Sequence, residues 1–227
     1  MIFFRLLIIL ALISSCGGGG GDDGGGGASS GGSSAQEAAE GVIGARVLNG
    51  AIDAAPIDLV SSVDGFTQTA MFAETNGFID ISSGLHLFDV STTRSGASPL
   101  LTTGLLQEGN GKHTFILHGD RTEFGLRVNL VSEQLPEVPS GQSLVRVIHG
   151  VTGASQLSVN SAAIANFGNV SSYIPITPGQ NTILITRAVD QVVFDLVPLD
   201  AQEGKAYSIF VAGEFGFFLT SRILVEN

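Results

Sequence analysis

Beyond Ala45, apolar and polar residues alternate along much of the chain. In "PIDLV", Ile57 and Leu59 stand on either side of Asp58; in "FIDIS", Ile79 and Ile81 flank Asp80. A period of two, rich in β-branched and aromatic residues, predicts strands with one buried face. The same reading predicts strands at Leu85–Val90, His113–His118, Glu123–Val131, Thr182–Arg187, Val192–Pro198, Lys205–Ala212 and Phe217–Val225. Nothing in this region sustains a 3.6-residue period, so no helix is expected there. Gly84 and Gly179 follow "SS" and "TP", turn chemistry that closes a strand and permits positive φ.

The pattern is written twice. "ARVLNGAIDAAPIDLV" from Ala45 aligns without a gap with "VRVIHGVTGASQLSVN" from Val145, at an offset of 100. Arg46 falls on Arg146, Leu48 on Ile148, Gly50 on Gly150 and Leu59 on Val159. "GFIDISSGLHLFDV" from Gly77 then resembles "SYIPITPGQNTILI" from Ser172, and "GKHTFILHG" from Gly111 resembles "GKAYSIFVAG" from Gly204. Two repeats are therefore expected, 45–132 and 142–227. The segment between them, 133–141, carries Pro136 and Pro139, which donate no ladder hydrogen bond and make it a stiff linker. Roughly six to eight short strands in about 90 residues predict a sandwich for each repeat. The expected fold class is all-β, two tandem immunoglobulin-like Greek-key β-sandwiches, each closing its own core.

The first 44 residues read differently. Met1 to Arg5 form a short positive start, and "LLIILALI" from Leu6 to Ile13 is unbroken apolar sequence. That is the layout of a secretory signal, too short for the roughly 20 apolar residues of a membrane-spanning helix. "ISSC", Ile13 to Cys16, resembles the bacterial lipobox. The resemblance implies that residues 1–15 are removed and that acyl chains on Cys16 hold the protein to a membrane. Cys16 is the sole cysteine, so it has no internal disulfide partner. Residues 16–44 then read as the lipidated cysteine and a Gly/Ser-rich tether. From Gly17 to Ser34, flexible chain of this composition spans roughly 20–25 Å root-mean-square. Ser34 to Glu37 spells S-x-x-E, a capping box expected to give one frayed turn where the tether ends. Gly17, rather than Asp, follows the cysteine, as in the outer-membrane sorting class of bacterial lipoproteins. The expected location is the bacterial outer membrane, facing the periplasm or the cell surface.

Charge narrows the partners. The 227 residues carry a formal charge of −11. Loss of Arg5 with the signal leaves 21 acidic against 9 basic residues, or −12. Nucleic acid, bound by Lys and Arg that neutralise phosphates, is not an expected partner. Charged residues make up only 14% and apolar ones 44%, which implies extensive burial or apolar surface covered by a partner protein.

Candidate chemistry is sparse. The histidines are His86, His113, His118 and His149. His113 and His118, five apart on one strand, are expected on opposite faces. No paired-histidine metal motif and no G-x-S-x-G elbow occurs, and "GEFG" and "GNGK" lack the strand–helix context of a phosphate loop. No catalytic residue, cofactor or metal is expected. Arg46 and Arg146, at equivalent places, read as strand-edge arginines pairing with acids, or as a carboxylate or sugar contact. With no Trp, and Tyr173 and Tyr207 both in expected core strands, a stacking platform for glycans is disfavoured.

"RVLNGAIDAAPIDLV" followed by "GFIDISSGLHLFDV" resembles the bacterial pattern R-V-x-H-A-x-P-D-A-P-x-V-D-V … Y-x-x-x-x-A-G of domain of unknown function 4397. Asn49 stands where that family often has His, and His149 restores it in the second repeat. Asp53, Pro56 and Asp58 match in the first repeat; Gly153, Gln156 and Ser158 depart in the second. The resemblance implies a secreted or lipid-anchored β-rich protein, often with tandem copies. The expected function is a lipid-anchored envelope or surface module, structural or protein-binding, without catalysis. A glycan-binding or adhesive module is the alternative, and an envelope enzyme the third reading.

Overall fold

The computed structural model describes residues 42–226 except 54–55, 62–64, 66, 76, 83, 93–100, 108–110 and 122–124. The signal sequence, Cys16, the tether and the Ser34–Glu37 cap lie outside the described residues. All regular structure among the described residues is strand. The first half contains β1 (Val42–Asn49), β2 (Ile57–Ser61), β3 (Thr67–Ala70), β4 (Ile79–Ser82), β5 (Gly84–Thr92), β6 (Leu101–Gln107), β7 (Gly111–His118) and β8 (Arg127–Glu133). The second contains β9 (Ser143–Thr152), β10 (Gln156–Val159), β11 (Ala163–Asn166), β12 (Ile174–Ile176), β13 (Gly179–Arg187), β14 (Val193–Ala201), β15 (Ala206–Glu214) and β16 (Phe218–Val225).

Each half is a sandwich of two four-stranded sheets. In the first, β4-β1-β7-β8 faces β3-β2-β5-β6; in the second, β12-β9-β15-β16 and β11-β10-β13-β14 repeat that order eight strands later. All neighbours are antiparallel except β1 with β7 and β9 with β15, which run parallel. The all-β architecture of two sandwiches is the one expected; the strand order within each differs from that of an antibody constant domain. A constant-type domain places strands 1-2-5-4 against 3-6-7, whereas here the first strand pairs with the seventh and leaves the second to the other sheet. Alternating residues cannot distinguish these orders, because both bury the same faces.

The alternation read from sequence fills two cores. Ile57, Leu59, Phe88, Val90, Phe115 and Leu117 meet in the first, with the Phe88 and Phe115 rings 4.6 Å apart. Leu157, Val159, Ile183, Ile185, Ile209 and Val211 meet in the second. Of the strand expected at Glu123–Val131, Glu123 and Phe124 lie outside the described residues, and β8 starts at Arg127, after Gly125 with φ +69°. No strand crosses 134–142, where the prolines stand. A third cluster joins the halves: Leu48 and Ile116 of the first pack with Ile148, Phe210 and Ala212 of the second. Residues Ala38–Asn227 thus form one compact unit. The central strands of these sheets, β1 with β7 and β9 with β15, are buried on both faces, one against their own sandwich and one against the other half.

Candidate functional site

The seam between the halves collects the residues that the two repeats share. On β1, Ile43, Ala45 and Val47 point into the first core, which sends Arg46 and Leu48 to the seam. On β9, Val145 and Val147 point into the second core and Arg146 and Ile148 to the seam. Period-two geometry therefore buries both arginines between sheets.

Four charges meet there. Arg46 donates from Nη2 to Glu133 Oε1 at 3.0 Å and to Glu226 Oε1 at 2.8 Å, and from Nη1 to Glu226 Oε2 at 3.0 Å. Arg146 donates from Nη2 to Glu133 Oε2 and, at 3.4 Å, to Glu226 Oε1. Each arginine also uses Nε for a hydroxyl on the neighbouring parallel strand, Arg46 to Thr114 at 2.8 Å and Arg146 to Ser208 at 2.7 Å. An aromatic ring lies against each guanidinium: Phe78 4.3 Å from Arg46 and Tyr173 4.6 Å from Arg146. Every partner has its counterpart in the other half, and each arginine binds the acid of both. The cluster is neutral, its side chains are nearly inaccessible, and its donors are directed at acceptors, which is what buried ions require.

Burial alone would raise the Glu226 carboxyl, but Arg46, Ser208 and Arg146 override it and hold the group below the ordinary carboxylate range. Burial likewise opposes the charge on Arg146, and Glu133 outweighs it, raising the guanidinium further. A pocket of about 200 Å³ opens beside the cluster, lined by Phe78, Lys112, Glu133, Leu135, Tyr173 and Glu226.

Farther along the seam the contact becomes apolar and then very close. A Cβ on Gly50 would lie 2.9 Å from the Gly150 carbonyl oxygen, so the equivalent glycines of the two repeats touch. Because Arg46 and Arg146 share one level and Gly50 and Gly150 another, β1 and β9 run in the same direction. His118 reaches across here, its ring 4.4 Å from that of Phe167. Gly168, at φ +72°, makes room for it; a Cβ there would sit 2.2 Å from His118 Nε2.

The family-pattern position is structural in both halves. Asn49 Oδ1 accepts the Ala51 N–H at 3.1 Å, and His149 Nδ1 accepts the Val151 N–H at 3.1 Å. That leaves the proton on His149 Nε2, which donates to the Ala154 carbonyl at 3.0 Å. Burial, with a smaller push from nearby His118 and against the Ala154 hydrogen bond, brings the His149 pKa down to about 3. His118 is also lowered by burial, opposed by Asn129 and assisted by Arg127.

Other singled-out residues scatter. Asp53 accepts the Arg121 N–H at 2.8 Å on the surface. Asp58 accepts from the Thr69 hydroxyl on the outward face. His113 is buried beside Ser132, its ring 3.4 Å from that hydroxyl, and His86 lies on β5. His113 and His118 do point to opposite sides of β7, one to each side of a doubly covered sheet. Tyr207 is a core residue, whereas Tyr173 is half-buried over Arg146. The arginines expected at strand edges sit on central strands, because each half covers the outer face of the other. They do pair with acids, but with Glu133, expected in the linker, and Glu226, to which no role was assigned. The available signal was that both acids close the last strand of their repeat.

A family model described as Domain of unknown function (DUF4397) matches residues 44–160, from β1 to just past β10. No curated protein matches the sequence.

Proposed function

The chain belongs to the DUF4397 family, and we propose that it is a lipid-anchored protein of the bacterial cell envelope, a structural or protein-binding module. One observation carries the reading of the body. The polar residues common to both repeats, Arg46 and Arg146 with Asn49 and His149, are all engaged in holding backbone or joining the halves. Such residues build a rigid object. The anchor rests on "ISSC" and on Cys16 as the only thiol. Two or more acyl chains give stable attachment at about 0.8 kcal/mol per buried CH₂. Placement in the outer membrane rests on Gly17, and a protein partner on the low charge content with outward apolar residues.

Metabolic labelling with a fatty-acid analogue tests the anchor. Label on the native chain and none on Cys16→Ala is expected, with the variant released from the membrane fraction. Label that persists on the variant overturns the reading.

A further inference from the structure

Two hairpins at one end of the second half finish in apolar tips. Among the described large apolar side chains, Phe217 at 84% and Val189 at 76% are the most exposed. Phe217 lies in the β15–β16 turn and Val189 in the β13–β14 turn. Phe215 joins the two turns: its ring stacks on Phe194 at 5.2 Å, and the Arg187 guanidinium lies 4.1 Å from it. Phe218, Val192, Val193 and Met71 are exposed around them, and the Phe218 ring is 5.8 Å from Phe72 of the first half. Arg187 and Asp190, the charges at the foot of the Val189 turn, bind each other. Glu214 stands behind the Phe217 turn, at the end of its strand.

We propose that these tips enter the hydrocarbon border of a neutral lipid bilayer, as a second contact with the membrane that holds Cys16. The proposal rests on the anchor argued above. Exposed apolar patches of this kind mark protein or membrane contacts, and three features favour lipid. First, the side chains project from turns instead of lining a groove, and a fluid medium closes around a projection without a complementary surface. Second, the tips offer Phe and Val with the local cation already paired, while the chain is strongly acidic. The contact is thus apolar and does not rely on anionic headgroups. Third, the anchor can reach. Val42, where the described chain begins, is at the opposite end of β1 from Phe72 and the tips. Cys16 and Val42 are 26 residues apart, a maximum span of about 90 Å, against about 33 Å for the ten residues of β9. Attachment turns insertion into an intramolecular step, for which two short tips suffice.

The chain has no Trp, so Phe217→Trp supplies a unique probe. Protein exported and processed from the full chain in a bacterial host is added to phosphatidylcholine vesicles and floated. Flotation reads the anchor; indole emission, and its quenching by lipids brominated on the acyl chain, reads the tip. Expected are a blue shift and quenching for Phe217→Trp, no change for Leu135→Trp at the opposite end, and loss of the shift when Val189→Ser is added. Protein that floats while its indole emits as in water overturns the tip contact and leaves the anchor standing. Protein that fails to float yet shifts at high lipid concentration supports the tip contact and removes the anchor. No flotation and no shift removes both. A shift that requires envelope proteins in the vesicles overturns lipid as the occupant in favour of a protein.

Discussion

The inward sheets of the two halves are near copies, and the outward sheets are not. Across the seam, Arg46 matches Arg146, Thr114 matches Ser208, Glu133 matches Glu226 and Phe78 matches Tyr173. On the outward sheet of the first half, Asp58 stands between Thr69 and Ser91. The same row in the second half reads Ile164, Ser158, Thr186, Val193, with exposed Leu196 beside it. The difference follows from what each face touches. A seam residue meets its counterpart in the other repeat, so a change on one side leaves a buried charge or donor unpaired on the other. A residue of the outward row meets its neighbours in its own sheet, as Ser158 meets Thr186, or water, and no counterpart in the other half constrains it.

Removing one acid from the seam should have the largest effect on this contrast. Glu226→Ala leaves two buried guanidiniums sharing one carboxylate, and a loss of about 3–5 kcal/mol is expected in urea unfolding. A double-mutant cycle of Arg46→Met with Glu226→Leu should recover much of it, since apolar groups of similar volume replace a buried pair with little penalty. Additive losses would show that the pair is not coupled.

Crowding the seam should come next. In Gly50→Val the new side chain meets the Gly150 and Leu117 backbones, neither of which can swing away. A loss of roughly 1–3 kcal/mol, occasionally more, is expected from overpacking. A melting temperature equal to that of the native protein would mean that the halves part easily.

Acid should weaken the inward sheets before the outward ones. His149 and His118 have pKa values lowered by burial, so the unfolded chain binds protons that the folded one refuses. Their stabilising effect is complete above the unfolded value near 6.5 and declines as pH falls, for His149 down to about 3. The slope reaches about 1.4 kcal/mol per pH unit for one such group. Glu226, held below its ordinary value, adds a loss of the same sign once pH falls through the carboxylate range. His149→Asn, copying Asn49, should flatten the slope between pH 6 and about 4; an unchanged slope would assign it elsewhere.

The smallest effect belongs outside. Asp58→Ser, copying Ser158, should shift stability by no more than about 0.5 kcal/mol. A larger change would place the first outward sheet under constraint.

Much of the fold was legible, and the reasons are local. Ile57 with Leu59 and Ile183 with Ile185 announce strands because alternation requires only that one face be buried. β9 announced less, since all ten of its residues are buried, Arg146 among them. Its second covering surface comes from the other repeat and leaves no mark in its own alternation. The arginines stood out by their repetition, yet their acids lie 87 and 180 residues from Arg46. Nothing in the sequence between them fixes that encounter. Short strands such as β6 and β11 escaped because "LTTGLLQ" does not alternate and the four residues of "AIAN" carry little periodic signal. Strand order escaped for a different reason: the parallel pairing of β1 with β7 is a choice of neighbour, and burial does not record it.

That pairing has a mechanical consequence. β1 lies between β4 and β7, bonded along both edges, and Arg46 in its middle is cross-braced to β8 and to the end of β16. A pull applied ahead of Val42, along the strand, must shear both ladders at once instead of peeling them open bond by bond. The brace passes part of that load to the last strand of the other half. A body tugged from this point should resist as one piece and give way abruptly, without lengthening in steps.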